Sequence, residues 1–282
     1  MRAWIVRAAG RRPLLAYLVL AFTLTWAGSG VYLLTLPRGG RVLPPIVGVL
    51  AIIPWYFGPA LAALIVTGLT EGRAGIRRLL GAYRIWRVGW GWPVFIVLYP
   101  VLLHLAVIGL RQLWGGPGIH FFRAEGVPQG SVVGTLAQLI LFHTLVRGLG
   151  EETGWRGFAL PRLKARRSAL TASLMLGVVW ALWHIHPTNL PTLSTLNGVF
   201  TLLSIVGTAV VFTFVYNGTS GSLLYAALFH MTLNVVEYVI PTAAVSEDVG
   251  AAAIQLIVVW LFVGALVLLF GPELELRKGR VR

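Results

Sequence analysis

The amino-acid sequence predicts an all-α polytopic membrane protein with about eight transmembrane helices, and three observations predict it. Of 282 residues, 57% are hydrophobic and 11% charged, with a mean hydropathy of +0.81; a soluble domain is nearer a quarter charged. The apolar residues collect in runs of roughly 20, enough to cross a hydrocarbon core about 30 Å thick as helix. The runs lack the alternation of a barrel strand, and an open sheet cannot satisfy its backbone in lipid.

Taken in order, the runs place spans near 14–35, 45–69, 91–111, 131–151, 168–187, 197–216, 221–242 and 250–270. The first follows Arg2, Arg7, Arg11 and Arg12, as a secretory signal would. Its length is that of a spanning helix, so an uncleaved first helix is expected. Between the second and third runs, Leu79, Leu80, Tyr83, Ile85 and Trp86 alternate with Arg77, Arg78, Arg84 and Arg87. That pattern suits a segment lying on the membrane surface, or a basic loop whose arginines snorkel. The fourth run continues polar and kink-prone through Gly154, Gly157 and Pro161. A helix over 131–163 would overrun the core, so a long, tilted or broken helix is expected there.

An even number of spans puts both termini on one side. Seventeen of the 23 Lys and Arg residues then fall on the side of the termini: those of the N-terminus, Arg73 to Arg87, Arg162 to Arg167, and Arg277 to Arg282. Only Arg38, Arg41, Arg111 and Arg123 fall opposite. Both termini are therefore expected in the cytoplasm, in an integral protein of the plasma membrane. The +14 net charge is explained by this topology, so no nucleic-acid partner is expected. The expected partner of such a chain is the lipid bilayer. Asn217-Gly218-Thr219 forms a glycosylation sequon, but on the expected cytoplasmic side. With no cysteine, a thiol nucleophile, a disulfide framework and a Cys-ligated metal are excluded.

Ionisable groups at membrane depth are costly and mark function by default. They fall in three places: Glu151-Glu152-Thr153-Gly154-Trp155-Arg156, Trp180-Ala181-Leu182-Trp183-His184, and His230-Met231-Thr232-Leu233-Asn234. Glu152 and Arg156 are four apart, the spacing of an intrahelical ion pair, which would leave Glu151 freer to act as a base. His143, Arg147 and Glu151 form a similar stripe, and His230, Asn234 and Glu237 share a face. If Lys164 to Arg167 turn a helical hairpin, Glu151 and His184 reach similar depth. These are the parts of a peptide hydrolase. Glu151 would take a proton from water that His184 helps to orient, and His230 and Asn234 would donate to the oxyanion. No His-Glu-x-x-His zinc signature is present, yet Glu151, His184 and His230 would be the ligands if a divalent metal such as zinc were used.

Glu-Glu-x-x-x-Arg, aromatic-x-x-x-His and His-x-x-x-Asn, in this order on successive helices, resemble the CAAX protease and bacteriocin-processing enzyme (CPBP, Abi-type) family of intramembrane peptidases. The similarity runs over 130–242, a core within one membrane domain of residues 1–282. It implies a membrane-associated peptide or protein substrate and a catalytic set of Glu151, His184, His230 and Asn234, with Glu152 and Arg156 supporting. Trp180 stands where phenylalanine is usual, and both are aromatic. The alternative class is a non-proteolytic transporter, scaffold or immunity protein; a transporter would more typically show two repeated, broken-helix halves, and no repeat is found. His186 is expected at an interface, His104 and His143 in packing or at an interface, and His120 in a loop. Glu237 is open between a proton acceptor, a metal ligand and a helix contact. Trp4, Trp92, Trp114 and Trp260 are expected in interfacial belts.

Overall fold

The computed structural model describes residues 10–36, 44–116, 122, 131–242 and 248–276. Arg2, Trp4, Arg7, Arg38, Arg41, His120, Arg123 and the basic tail from Arg277 lie outside the described residues. Among the described residues every long element is a helix. These are α1 (Pro13–Thr35), α2 (Pro45–Gly81), α3 (Gly91–Gln112), α4 (Val132–Lys164), α5 (Ala169–Trp183), α6 (Leu196–Gly218), α7 (Leu223–Val239) and α8 (Val249–Phe270). Six of them are long and apolar enough to cross a membrane, and α5 and α7 are shorter apolar helices. The protein is an all-α polytopic membrane protein.

Local chemistry explains where the helices begin and end. Ser131, Ser168, Thr195, Ser222 and Asp248 each cap a helix, their side-chain oxygens accepting from a backbone N–H three residues on. Pro187 and Pro241 bring α5 and α7 to an end earlier than the apolar runs suggest. His184 therefore caps α5 from just beyond its last residue, and His186 follows in the turn.

The second helix runs twelve residues past the expected span end at 69, through a break at Gly72. That glycine has φ +65°, which a side chain would strain, and the helix resumes beyond it. Its continuation keeps Leu79 buried while Arg73, Arg77 and Arg78 face outward, and Trp86 and Trp90 are exposed beyond it.

The fourth helix is broken as expected, by two π-helical segments, His143–Gly148 and Trp155–Ala159. They flank a single α-helical stretch, Leu149–Gly154, which carries both glutamates. Such wide turns recur at functional sites because they redirect side chains that a regular helix would keep in register.

Helix α1 packs along α2, α5 along α6, α6 and α3 along α8, and the Leu149–Gly154 stretch lies against α2. The core passes through Tyr17, Trp155 and Phe158 to Phe212 and Phe229, all fully buried. Two of the expected belt tryptophans are corrected. Trp92 is buried and packs on Phe95 and Phe214, ring centroids 5.9 and 5.1 Å away. Trp260 sits in the middle of α8 and donates to the Leu203 carbonyl at 3.2 Å. Trp114, by contrast, is exposed.

Candidate active site

Four helices bring the polar residues together. Glu151 and Glu152 come from α4, Trp180 from α5 with His184 at its end, Phe212 from α6, and His230 from α7. Glycines let α4 approach its neighbours. A Cβ at Gly150 would stand 2.6 Å from the Tyr56 carbonyl oxygen, and one at Gly148 would stand 2.8 Å from that of Ala227. Small residues at such contacts are what let membrane helices close on one another.

The two carboxylates are almost completely buried, at 1% and 0% exposure, and each has its own partners. Glu152 accepts from Arg156 Nη1 at 3.2 Å and from His230 Nδ1 at 2.7 Å, both through Oε1. The Arg156 guanidinium, itself fully buried, lies over the rings of Trp180 and Phe212, at 4.5 and 4.0 Å from their centroids. A buried cation is held there by an ion pair and two aromatic faces.

Glu151 is held differently. Its Oε2 accepts the Trp180 indole N–H at 2.9 Å. Its Oε1 stands 3.7 Å from Arg147 Nη1 and 3.9 Å from His230 Nε2, near both but beyond hydrogen-bond length. Arg147 stacks on Tyr56 at 4.9 Å. Two guanidinium groups thus offset two carboxylates, so the cluster is balanced in charge before either histidine takes a proton.

Both histidines have one nitrogen anchored. His184 Nδ1 donates to the Trp180 carbonyl at 2.7 Å, because a carbonyl can only accept. His230 Nδ1 donates to the Glu152 carboxylate for the same reason. Each anchor sets the tautomer and leaves Nε2 for another partner. Glu151, Arg147, His184 and His230 lie close enough to act on one another electrostatically.

Other expected residues are placed differently. Asn234 donates to the His230 carbonyl at 2.9 Å, and among the described residues it makes no hydrogen bond to the carboxylates or imidazoles. His186 is buried rather than interfacial. Its Nδ1 is 2.7 Å from the Thr188 hydroxyl, and its ring rests on Trp55 and Trp183. Glu237 belongs to the far end of α7. It lies 3.5 Å from His104 Nε2 and accepts from the Thr242 hydroxyl at 3.2 Å, while His104 Nδ1 donates to the Ile240 carbonyl. These groups satisfy backbone atoms where the helix ends. Among the described residues no three His, Asp or Glu side chains are placed to hold a metal ion, so the set Glu151, His184 and His230 does not form one as it stands.

Sequence reasoning singled out Trp180 only as an aromatic and Arg147 only as part of a stripe. The indole donor and the i, i+4 spacing of Arg147 to Glu151 were the available signals.

Residues 133–236 match the family model described as Type II CAAX prenyl endopeptidase Rce1-like. Over 164 residues the chain is 29% identical to the protein named CAAX prenyl protease 2 of Methanococcus maripaludis. That alignment covers 55% of this chain and 58% of the relative, so the chain spans little more than half the length of the curated protein it matches. Every residue of the three motifs, from Glu151 to Asn234, falls inside the matched segment. Over that segment the chain is similar to the CAAX protease family.

Proposed function

We propose that the protein is an intramembrane endopeptidase that hydrolyses a peptide bond of a membrane-embedded or lipid-anchored protein with water activated by Glu151. The observation that carries the proposal is the convergence of two buried, charge-balanced carboxylates with two histidines whose Nε2 atoms are uncommitted. The 3.9 Å between Glu151 Oε1 and His230 Nε2 is a separation that one water can bridge.

In this reading Glu151 takes a proton from that water as its oxygen attacks the carbonyl carbon, with His184 Nε2 orienting it. The carbonyl oxygen becomes an oxyanion. His230 donates to it from Nε2 in its imidazolium form, for which Glu152 is the counter-ion. The second N–H of the Asn234 amide is the other donor. As the C–N bond breaks, the proton on Glu151 passes to the leaving amine. Glu152 and Arg156 act through His230. The catalytic core is residues 130–242 of one membrane domain, set in the plasma membrane with both termini cytoplasmic.

The name of the relative, CAAX prenyl protease 2, supports a narrower substrate class, a protein carrying a prenyl group near its carboxyl terminus. The test is the full chain reconstituted in liposomes with a farnesylated peptide and its unprenylated counterpart. Glu151→Gln, His184→Ala and His230→Ala are each expected to lower kcat by about 10²- to 10⁴-fold, the range for general acid–base groups. Full cleavage by all three variants would overturn the mechanism. Equal cleavage of the two peptides would overturn the prenyl specificity alone.

A further inference from the structure

We propose that Trp180 is a positioning residue for Glu151, holding one carboxylate oxygen so that the other is presented to the reacting water; this rests on the proposed hydrolysis. A carboxylate has two equivalent oxygens and turns easily about its last torsion. Here the indole N–H occupies Oε2 at 2.9 Å, and Oε1 is the oxygen that faces Arg147 and His230 Nε2. Trp180 reaches the rest of the cluster as well. Its ring packs edge-on against His184 and His230, at 5.3 and 5.9 Å, and lies under the Arg156 guanidinium. Its backbone carbonyl accepts from His184.

These contacts separate cleanly by chemistry. The carbonyl that anchors His184 belongs to the backbone and survives any substitution. An aromatic face for Arg156 survives in phenylalanine. Only the hydrogen bond to Glu151 needs the indole N–H. Trp180→Phe therefore removes one donor and leaves Glu151 Oε2 buried without a partner, which frees the carboxylate to turn toward Arg147. A benzothienylalanine at position 180, which keeps the bicyclic shape and replaces N–H with sulfur, isolates the donor from the packing.

The experiment is steady-state cleavage in liposomes by the wild type, Trp180→Phe and the benzothienylalanine variant. Alongside it, thermal unfolding is measured for the wild type, Trp180→Phe, Glu151→Gln and the double variant. The expected result is a fall in kcat of about ten- to a hundredfold in both position-180 variants, the range for a hydrogen bond to a charged group, with KM changed less than about threefold. Unfolding midpoints are expected to be non-additive between Trp180→Phe and Glu151→Gln. Unchanged kcat in folded variants overturns the proposal, as does a loss confined to KM or to Trp180→Phe alone. If the wild type cleaves nothing, the proposed function falls, and the unfolding cycle still decides whether the indole holds the carboxylate: additive midpoints overturn it.

Discussion

At the scale of single residues, burial makes the Glu152–Arg156 pair a matter of stability as much as chemistry. Both side chains are fully buried and 3.1 Å apart. Arg156→Met leaves Glu152 with the hydrogen bond from His230 and no guanidinium beside it, and is expected to cost about 3–5 kcal/mol, as breaking a buried pair does. Glu152→Gln added to Arg156→Met removes both charges, and most of that loss is expected to return because the aromatic pocket of Trp180 and Phe212 accepts a long apolar chain. Denaturant unfolding in detergent checks this, and a double variant no more stable than the single one contradicts it. The pair was legible in the sequence because a four-residue spacing is a property of any helix. The direction of the Trp180 N–H was not, since residue type says nothing of where an indole points. Asn234 shows the converse: its spacing from His230 placed it on the right face, yet its amide bonds its own helix.

At the scale of elements, the eight apolar helices, six of them long enough to span, were legible because lipid demands long apolar runs, and the caps because Ser, Thr and Asp announce them. The two π segments were foreshadowed only as a broken helix. A wide turn is chosen by how α4 packs on α2 and α7, which no local pattern encodes. The polar group at the end of α7 was legible residue by residue but not as a unit, because His104 and Glu237 are far apart in the chain. Packing of α4 yields a prediction of its own. A Cβ at Gly154 would stand 2.5 Å from the Tyr17 hydroxyl and 2.6 Å from the Pro59 carbonyl oxygen, and the latter is backbone that cannot swing aside. Gly154→Ala is expected to destabilise the protein by about 1–3 kcal/mol through overpacking. It is also expected to lower cleavage, since the strain falls two residues from Glu152. Gly109→Ala in α3, where a Cβ meets nothing within 4 Å, is the control and is expected to be neutral or slightly stabilising. Equal unfolding midpoints for the two variants would contradict the packing argument.

At the scale of the whole molecule, side-chain bonds sort the helix ends into two groups, and charge sorts them the same way. At one end Glu71 pairs with Arg78 and Arg162, Lys164 donates to Asn217, Asn217 donates to the Glu273 carbonyl, and Ser222 donates to the Ile85 carbonyl. The sequon residue Asn217 is thus engaged in tying α4, α6 and the segment after α8 together. At the other end Arg111 pairs with Asp248 at 2.9 Å, and His104 meets Glu237 and the Ile240 carbonyl. The first end carries Arg73, Arg77, Arg78, Arg84, Arg87, Arg162, Lys164, Arg166 and Arg167, whereas among the described residues Arg111 is the basic side chain of the second. The excess of positive charge predicts that the first end faces the cytoplasm. The chain has no cysteine, so the prediction is tested without removing any native side chain that would react. Ala165 and Ser194 are exposed and lie at opposite ends, in the α4–α5 and α5–α6 connections. In intact cells a membrane-impermeant maleimide is expected to label Ser194→Cys to the level reached after lysis, and to label Ala165→Cys only once the membrane is opened. The reverse pattern would invert the topology. It would place the basic end outside, against the charge distribution of the sequence.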